Sequence, residues 1–265
     1  MGSETEQSHP SVEIRNRHAN GPVVILCEHA SCHIPLKYQG LGLEPDHRHS
    51  HAAWDPGARG VAVKLSKVLH APMVASRVSR LVYDCNRPPE AASAMPERSE
   101  IIDIPGNCNL TAAQRADRVE AVYRPFCDAI TSVLASRNAQ TIPTVLMTIH
   151  SFTPSFHGQA RDVEIGVLHD ADRRMADAML AQSHRLPHRN IQRNAPYGPE
   201  DGVTHSLKLH GIGNGLPNVM IEIRNDLLAT PAEEDCIAQE LLQLIDPALA
   251  TFGVSLPPQG GKQDA

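Results

Sequence analysis

Four short apolar runs in this sequence end on side chains that could share one reaction. Residues 22–27 lead into Glu28 and His29, residues 81–83 into Asp84, Asn86 and Arg87, and residues 144–149 into His150. The fourth run, residues 218–223, carries Glu222 and is followed by Arg224. Zinc takes imidazole and carboxylate ligands, and its catalytic sites leave one position for water. Such an ion brings the pKa of that water near neutrality and polarises a carbonyl. A neighbouring carboxylate can carry the water's proton to a leaving nitrogen. An arginine can hold a substrate carboxylate in a bidentate pair. Together these groups describe hydrolysis of an amide bond in a small acidic molecule.

Each residue also has a plainer reading. His29 could be a hydrogen-bonded structural group, but Glu28 beside it favours a ligand. His150 closes an apolar run, where an unpartnered imidazole is costly, so it too favours function. Glu222 lies between Ile221 and Ile223, where it is either a paired structural carboxylate or faces the site; the site is favoured. Arg87 could clamp a substrate or simply pair with Asp84. His47, His49 and His51 read as a solvated loop, yet a helix there would put His51 and Asp55 on one face, so Asp55 stays a spare ligand. Cys32 and His33 are a candidate nucleophilic pair. The sequence has no H-E-x-x-H, G-x-S-x-G, P-loop or G-x-G-x-x-G pattern. Gly211, Gly213 and Gly215 precede a strand rather than a helix, which argues against a phosphate cradle and for a mobile loop beside the site.

The elements that must position these residues alternate along the chain. Strands are expected at residues 22–27, 72–76, 81–84, 144–149, 163–168 and 218–223, several of them apolar on both faces, as in a doubly covered sheet. Helices are expected from Ala58 to Leu69, from the Thr111/Gln114 capping box through Leu134, from Asp170 to about Leu186, and from Thr230-Pro231 through Leu249. This order predicts a single α/β domain with a mixed, mostly parallel sheet flanked by helices, and ligands in such sheets sit beyond the carboxyl ends of the strands. Residues 1–20 and 257–265 read as flexible ends around a domain spanning 21–256.

Composition narrows the partners. A chain of 265 residues with 41% hydrophobic residues is long enough for a proper core. Its formal charge of -6 argues against nucleic acid. No apolar run approaches the roughly 18 residues of a membrane span, and the first residues lack a signal peptide's basic and apolar regions, so a soluble, cytoplasmic protein is expected. The six cysteines form no C-x-x-C pair and read as free thiols. Aromatics are only 3%, too few for base or sugar platforms, whereas 15 histidines suit metal or acid/base chemistry.

Several segments together resemble the N-formylglutamate amidohydrolase family: residues 27–31 with Ile34 and Pro35, residues 54–58, 79–88 and 150–152, Asn194 with Pro196 and Tyr197, and residues 221–226. The resemblance runs over roughly residues 22–250. It implies a phosphorylase/hydrolase-like, zinc carboxypeptidase-like fold with zinc at the strand ends. It also implies that His29 is the first zinc ligand and His150 the second histidine, with Asn86 and Arg87 on the substrate carboxylate and Glu222 as general base. The carboxypeptidase pattern H-x-x-E is broken, because Cys32 stands three residues after His29. Glu28, Asp55 or Cys32 must therefore complete the site, or another divalent metal replaces zinc.

The expected activity is metal-dependent hydrolysis of an N-acyl, and in the family's case N-formyl, acidic amino acid, with Arg80 assisting Arg87. A metal-independent Cys/His amidase built on Cys32 and a non-catalytic small-molecule binder on the same scaffold are the rivals. The sequence leaves the oligomeric state open.

Overall fold

The computed structural model describes residues 10–254 and residue 256. Seven strands form its main sheet: β1 (Val12–Arg15), β2 (Val23–Cys27), β3 (Met73–Ser76), β4 (Val145–Phe152), β5 (Ile165–Leu168), β6 (Ile191–Arg193) and β7 (Asn218–Arg224). Their order is β1-β3-β2-β4-β7-β5-β6. The four central strands β3, β2, β4 and β7 run parallel; β1 joins antiparallel at one edge, and β5 pairs antiparallel with β7 at the other. Six helices accompany them: α1 (Pro45–His49), α2 (Ala58–Val68), α3 (Ala112–Arg118), α4 (Arg124–Ala139), α5 (Arg174–Leu180) and α6 (Pro231–Ala250).

Two-residue alternation sorts the core. Val23, Ile25 and Cys27 of β2 face a cluster built with α2, α5 and α6, while Val24 and Leu26 face one built with α4. Both faces of the central strands are thus covered, which is why those strands read as unbroken apolar runs. The capping signals work as expected: Gln114 N donates to Thr111 Oγ1 at 3.2 Å and Thr111 N donates to Gln114 Oε1 at 2.9 Å. Thr230 Oγ1 likewise accepts from Glu233 N at the start of α6. A wide helical turn, Val119–Tyr123, carries the chain from α3 into α4, so the apolar stripe from Val122 to Leu134 stays on one side.

Several sequence expectations are corrected. Residues 81–84 form turns rather than a strand. Ser79 Oγ accepts from Leu81 N, and the carbonyls that a neighbouring strand would bind are taken by Asn107 Nδ2 (Leu81 O, 2.9 Å) and Arg118 Nη1 (Val82 O, 3.1 Å). Strand β4 continues three residues past Ile149, so His150 lies inside it, paired across to Glu222. The helix expected from Asp170 begins only at Arg174; Asp170 Oδ2 accepts from Thr204 Oγ1 at 2.6 Å and so belongs to a turn. In the amino-terminal segment expected to be loose, Val12–Arg15 is an edge strand; residues 1–9 and 257–265 lie outside the described residues.

The glycine-rich stretch before β7 is folded as two helical turns, Leu207–Gly211 and Ile212–Asn214, rather than an open loop. Leu207 and His210 are buried by this packing. Burial, with His205 adding to it against the pull of Glu28, lowers the His210 pKa to about 4. An unfolded chain binds that proton near pH 6.5, so between the two values the unfolded state holds more protons. Stability then falls as pH drops through that window and is flat above it. Between pH 7 and pH 5 the expected loss is about 2 kcal/mol. Urea unfolding of wild type and His210→Gln at both pH values checks it: the variant should lack this part of the slope.

Candidate metal centre

Three adjacent parallel strands bring ionisable side chains into one row. His150 of β4 pairs with Glu222 of β7, and Leu26 of β2 pairs with Thr148, so continuing the register sets Glu28 level with His150. Side chains two residues apart share a face, which puts Glu28, His150 and Glu222 on the same side of the sheet. The row extends to Gly166 of β5, the antiparallel partner of Glu222. A Cβ at Gly166 would lie 1.9 Å from Ala195 O. Glycine there lets the 194–197 segment cross close above the sheet and brings Tyr197 near Glu222.

Asp55 arrives from a loop before α2. Its N–H donates to His29 O at 2.9 Å, docking the two loops backbone to backbone. Ser151 N donates to Asp55 Oδ2 at 3.3 Å and Ser151 Oγ to Pro56 O at 2.8 Å, tying the loop to β4. Gly57 then turns the chain into α2 with φ of 79°, where a Cβ would also strike Leu228 at 2.3 Å.

The result is a triangle of ligand-type atoms. His29 Nδ1 is 3.2 Å from Asp55 Oδ2, His150 Nδ1 is 2.9 Å from the same oxygen, and the two Nδ1 atoms are 3.2 Å apart. All three residues are buried. Ligands at roughly 2.0–2.1 Å from a tetrahedral ion are separated by about 3.3 Å, so the triangle is of a size that could hold a metal ion. The far side of each ring meets a carboxylate: His29 Nε2 donates to Asp84 Oδ1 at 2.7 Å, and His150 Nε2 lies 3.1 Å from Glu28 Oε2. A carboxylate can only accept, so Asp84 holds a hydrogen on His29 Nε2, while Glu28 faces His150 Nε2 as an ion-pair partner; a cation at the shared point would take the place of the protons that Asp55 draws to the two Nδ1 atoms. This is the outer arrangement that metal-binding imidazoles use.

Charge agrees with geometry. Burial raises the pKa values of Asp55 and Asp84, but the facing imidazoles and Arg80 pull both far below the usual carboxylate range. Glu28 is held below its ordinary value by His150 despite complete burial. Burial lowers both rings, yet the carboxylates around them push His29 up and His150 well up. Arg80 bridges Asp55 Oδ1 and Asp84 Oδ2 at 3.2 Å each. Three ionised carboxylates, Asp55, Asp84 and Glu28, against one guanidinium leave a pocket that attracts further positive charge, from protons on the rings or from a cation between them.

Glu222 differs from the other carboxylates. It is 5% exposed, Oε2 has no hydrogen-bond partner, and burial together with Asp55 raises its pKa to about 7 against the pull of His150, His29 and Arg80. A carboxylate poised there is suited to gain and lose a proton at neutral pH.

The structure therefore brings together His29, His150, Asp55, Glu28, Glu222 and Arg80, but it distributes them differently from the sequence reading. Glu28 faces the outer nitrogen of His150 rather than the Nδ1 triangle. Both ends of the Asn86 amide are engaged by the 203–206 turn, Nδ2 donating to Val203 O and Oδ1 accepting from Ser206 N at 2.9 Å. Arg87 Nη1 donates to Gly202 O. Cys32 turns to His49 Nδ1 at 3.5 Å and, with His33, Trp54 and Arg59, lines a cavity of about 990 Å³ to which His29, Asp55, His150 and Glu222 contribute nothing. His51 pairs with Glu100 at 3.0 Å. In the sequence Asp84 has no role beyond pairing with Arg87; its signal is the Asp84-Cys85-Asn86 turn, in which Asn86 N donates to Asp84 Oδ1 and fixes the carboxylate toward His29.

A mixed sheet covered on both faces, with buried imidazoles and carboxylates gathered in one row, is the scaffold of an α/β amidohydrolase. The family model for N-formylglutamate amidohydrolase matches residues 21–229, and the chain belongs to that family. Gene product Atu2144 from Agrobacterium tumefaciens has a similar crystal structure, with a TM-score of 0.90 and 54% identity over 92% of this chain and 96% of that one. N-formylglutamate amidohydrolase from Ralstonia eutropha JMP134 is similar in fold, with a TM-score of 0.66 and 17% identity over 92% of this chain and 98% of that one. No curated protein matches the chain.

Proposed function

We propose that the protein hydrolyses the amide bond of a small N-acyl amino acid with an acidic side chain, N-formylglutamate being the first candidate, at a zinc-type centre. The observation that carries this reading is the convergence of His29 Nδ1, His150 Nδ1 and Asp55 Oδ2 at tetrahedral spacing beside an unpartnered Glu222 oxygen. His29, His150 and Asp55 would hold the ion, with Glu28 and Asp84 orienting the rings. An ion bound there supplies Lewis acidity, polarising the acyl carbonyl and acidifying water.

The chain's own groups account for the proton traffic. Glu222 as carboxylate takes a proton from the attacking water and, as acid, returns it to the departing nitrogen. Arg80 keeps Asp55 and Asp84 ionised and in place. Arg87 and Asn86 brace the 202–206 turn, so their effect on substrate runs through the position of that turn. No helix among the described residues is long and apolar enough to cross a membrane. All six cysteines are free, which supports a reducing, cytoplasmic setting.

Elemental analysis of purified protein with a hydrolysis screen over N-acyl amino acids tests the proposal. Activity should fall to background on chelation and return with zinc. Activity that survives chelation but is lost on thiol alkylation would transfer the reaction to Cys32. Binding of acidic ligands without turnover would mark a binding protein.

A further inference from the structure

The chain has only nine Phe, Tyr and Trp residues (four, four and one), yet three of them surround a single guanidinium. Arg161 lies 5.5 Å from the ring centre of Phe152, 4.6 Å from Phe156 and 4.9 Å from Tyr197. Phe152 follows His150 by two residues on β4 and so shares its face, one strand step of roughly 7 Å further toward the carboxyl end. Tyr197 is the residue brought near Glu222 over Gly166. Arg161 therefore lies on the same side of the sheet as the imidazole–carboxylate row, toward the carboxyl end of β4. Its backbone is fixed, with N–H donating to Pro154 O at 2.9 Å and the carbonyl accepting from Arg224 Nη1 at 3.1 Å.

What distinguishes Arg161 is what it lacks. Its side chain donates from Nη1 to Thr153 O at 3.3 Å and Thr153 Oγ1 at 3.5 Å and also bonds the Tyr197 hydroxyl, but among the described residues no carboxylate lies within ion-pair distance. Arg80 is held by two carboxylates and Arg87 by a carbonyl. Aromatic faces stabilise a cation and orient its plane, and a guanidinium with no carboxylate partner has donors to give to a substrate carboxylate.

We propose that Arg161, caged by Phe152, Phe156 and Tyr197, is the anchor for the substrate's carboxylate and the residue that restricts the enzyme to anionic N-acyl compounds. The assignment rests on the amidohydrolase reading of the neighbouring centre, and it moves carboxylate recognition from Arg87 to the segment after β4.

The test compares N-formyl-L-glutamate with its diamide, in which both carboxylates are amidated. The zinc-loaded wild type, Arg161→Met and Arg161→Lys are assayed side by side, with circular dichroism as a check of folding. Wild type should prefer the free acid, and Arg161→Met should reduce that preference about 100-fold, mainly through KM. Arg161→Lys, which keeps the charge but loses the fork, should fall between them. Calorimetric binding of L-glutamate, which needs no turnover, should weaken in the same order. A preference in Arg161→Met within threefold of wild type overturns the assignment while leaving the reaction standing. Arg161-dependent binding of L-glutamate by a wild type that hydrolyses neither compound supports the anchor and removes the reaction.

Discussion

Asp55→Asn should lose both bound metal and turnover, with kcat/KM falling by at least about 1,000-fold. Asp55 Oδ2 is the one oxygen in contact with both Nδ1 atoms, and it also accepts from Ser151 N. An amide at this position presents a neutral oxygen or a donor nitrogen where two lone pairs already converge, so either rotamer weakens the site. The informative comparison is Asp84→Asn. That carboxylate touches His29 from behind, and an asparagine oxygen can still accept from Nε2, so the expected loss in metal affinity is only about 10- to 100-fold. Metal content by elemental analysis, with circular dichroism to confirm folding, separates the two. An Asp55→Asn protein that retains the wild-type metal content would remove Asp55 from the ligand set.

Glu222→Gln should show the opposite pattern: full metal content with turnover reduced by about 100- to 10,000-fold. The substitution is nearly isosteric and leaves the Nδ1 triangle untouched, but it deletes the group proposed to exchange a proton. Unchanged turnover would exclude Glu222 from the reaction. The wild-type pH profile carries a matching signature. The working form is the carboxylate, and its pKa of about 7 is set by burial and Asp55 without a cation in the triangle. Activity should therefore fall as pH drops through an acid limb at or below pH 7, since an added positive charge nearby lowers that value further.

The two variants probe different layers of one construction. Asp55, His29 and His150 come from two loops and a strand, held together by main-chain hydrogen bonds and by Ser151. Glu222 comes from the neighbouring strand through register alone. A change that disturbs loop docking should affect metal retention first, whereas a change on β7 should affect catalysis first.

Much of this arrangement was legible in the sequence because it depends on local pattern. Apolar runs of five or six residues mark strands buried on two faces, and Thr111/Gln114 and Thr230/Glu233 mark helix starts whose hydrogen bonds close within one turn. His29, His150 and Glu222 stood out because an ionisable residue at or near the end of an apolar run must meet a partner. The misplaced strand at residues 81–84 shows the limit. Its composition is that of a strand, but Asn107 and Arg118, distant in sequence, take its carbonyls and leave it as turns.

What the sequence determined by itself is therefore most of the central strands, the long helices, the α/β class and the candidate ionisable side chains. The placement of those side chains relative to one another was decided only in three dimensions. Glu28 and Asp55 are equally plausible ligands on paper; strand register sends Glu28 to the back of His150, and loop docking sends Asp55 to the front of both rings. Asn86 and Arg87 end on backbone carbonyls, while Arg161 ends in an aromatic cage. Side-chain direction depends on pairing between segments up to 117 residues apart, and hydrogen-bond partners at that separation leave no periodic trace along the chain.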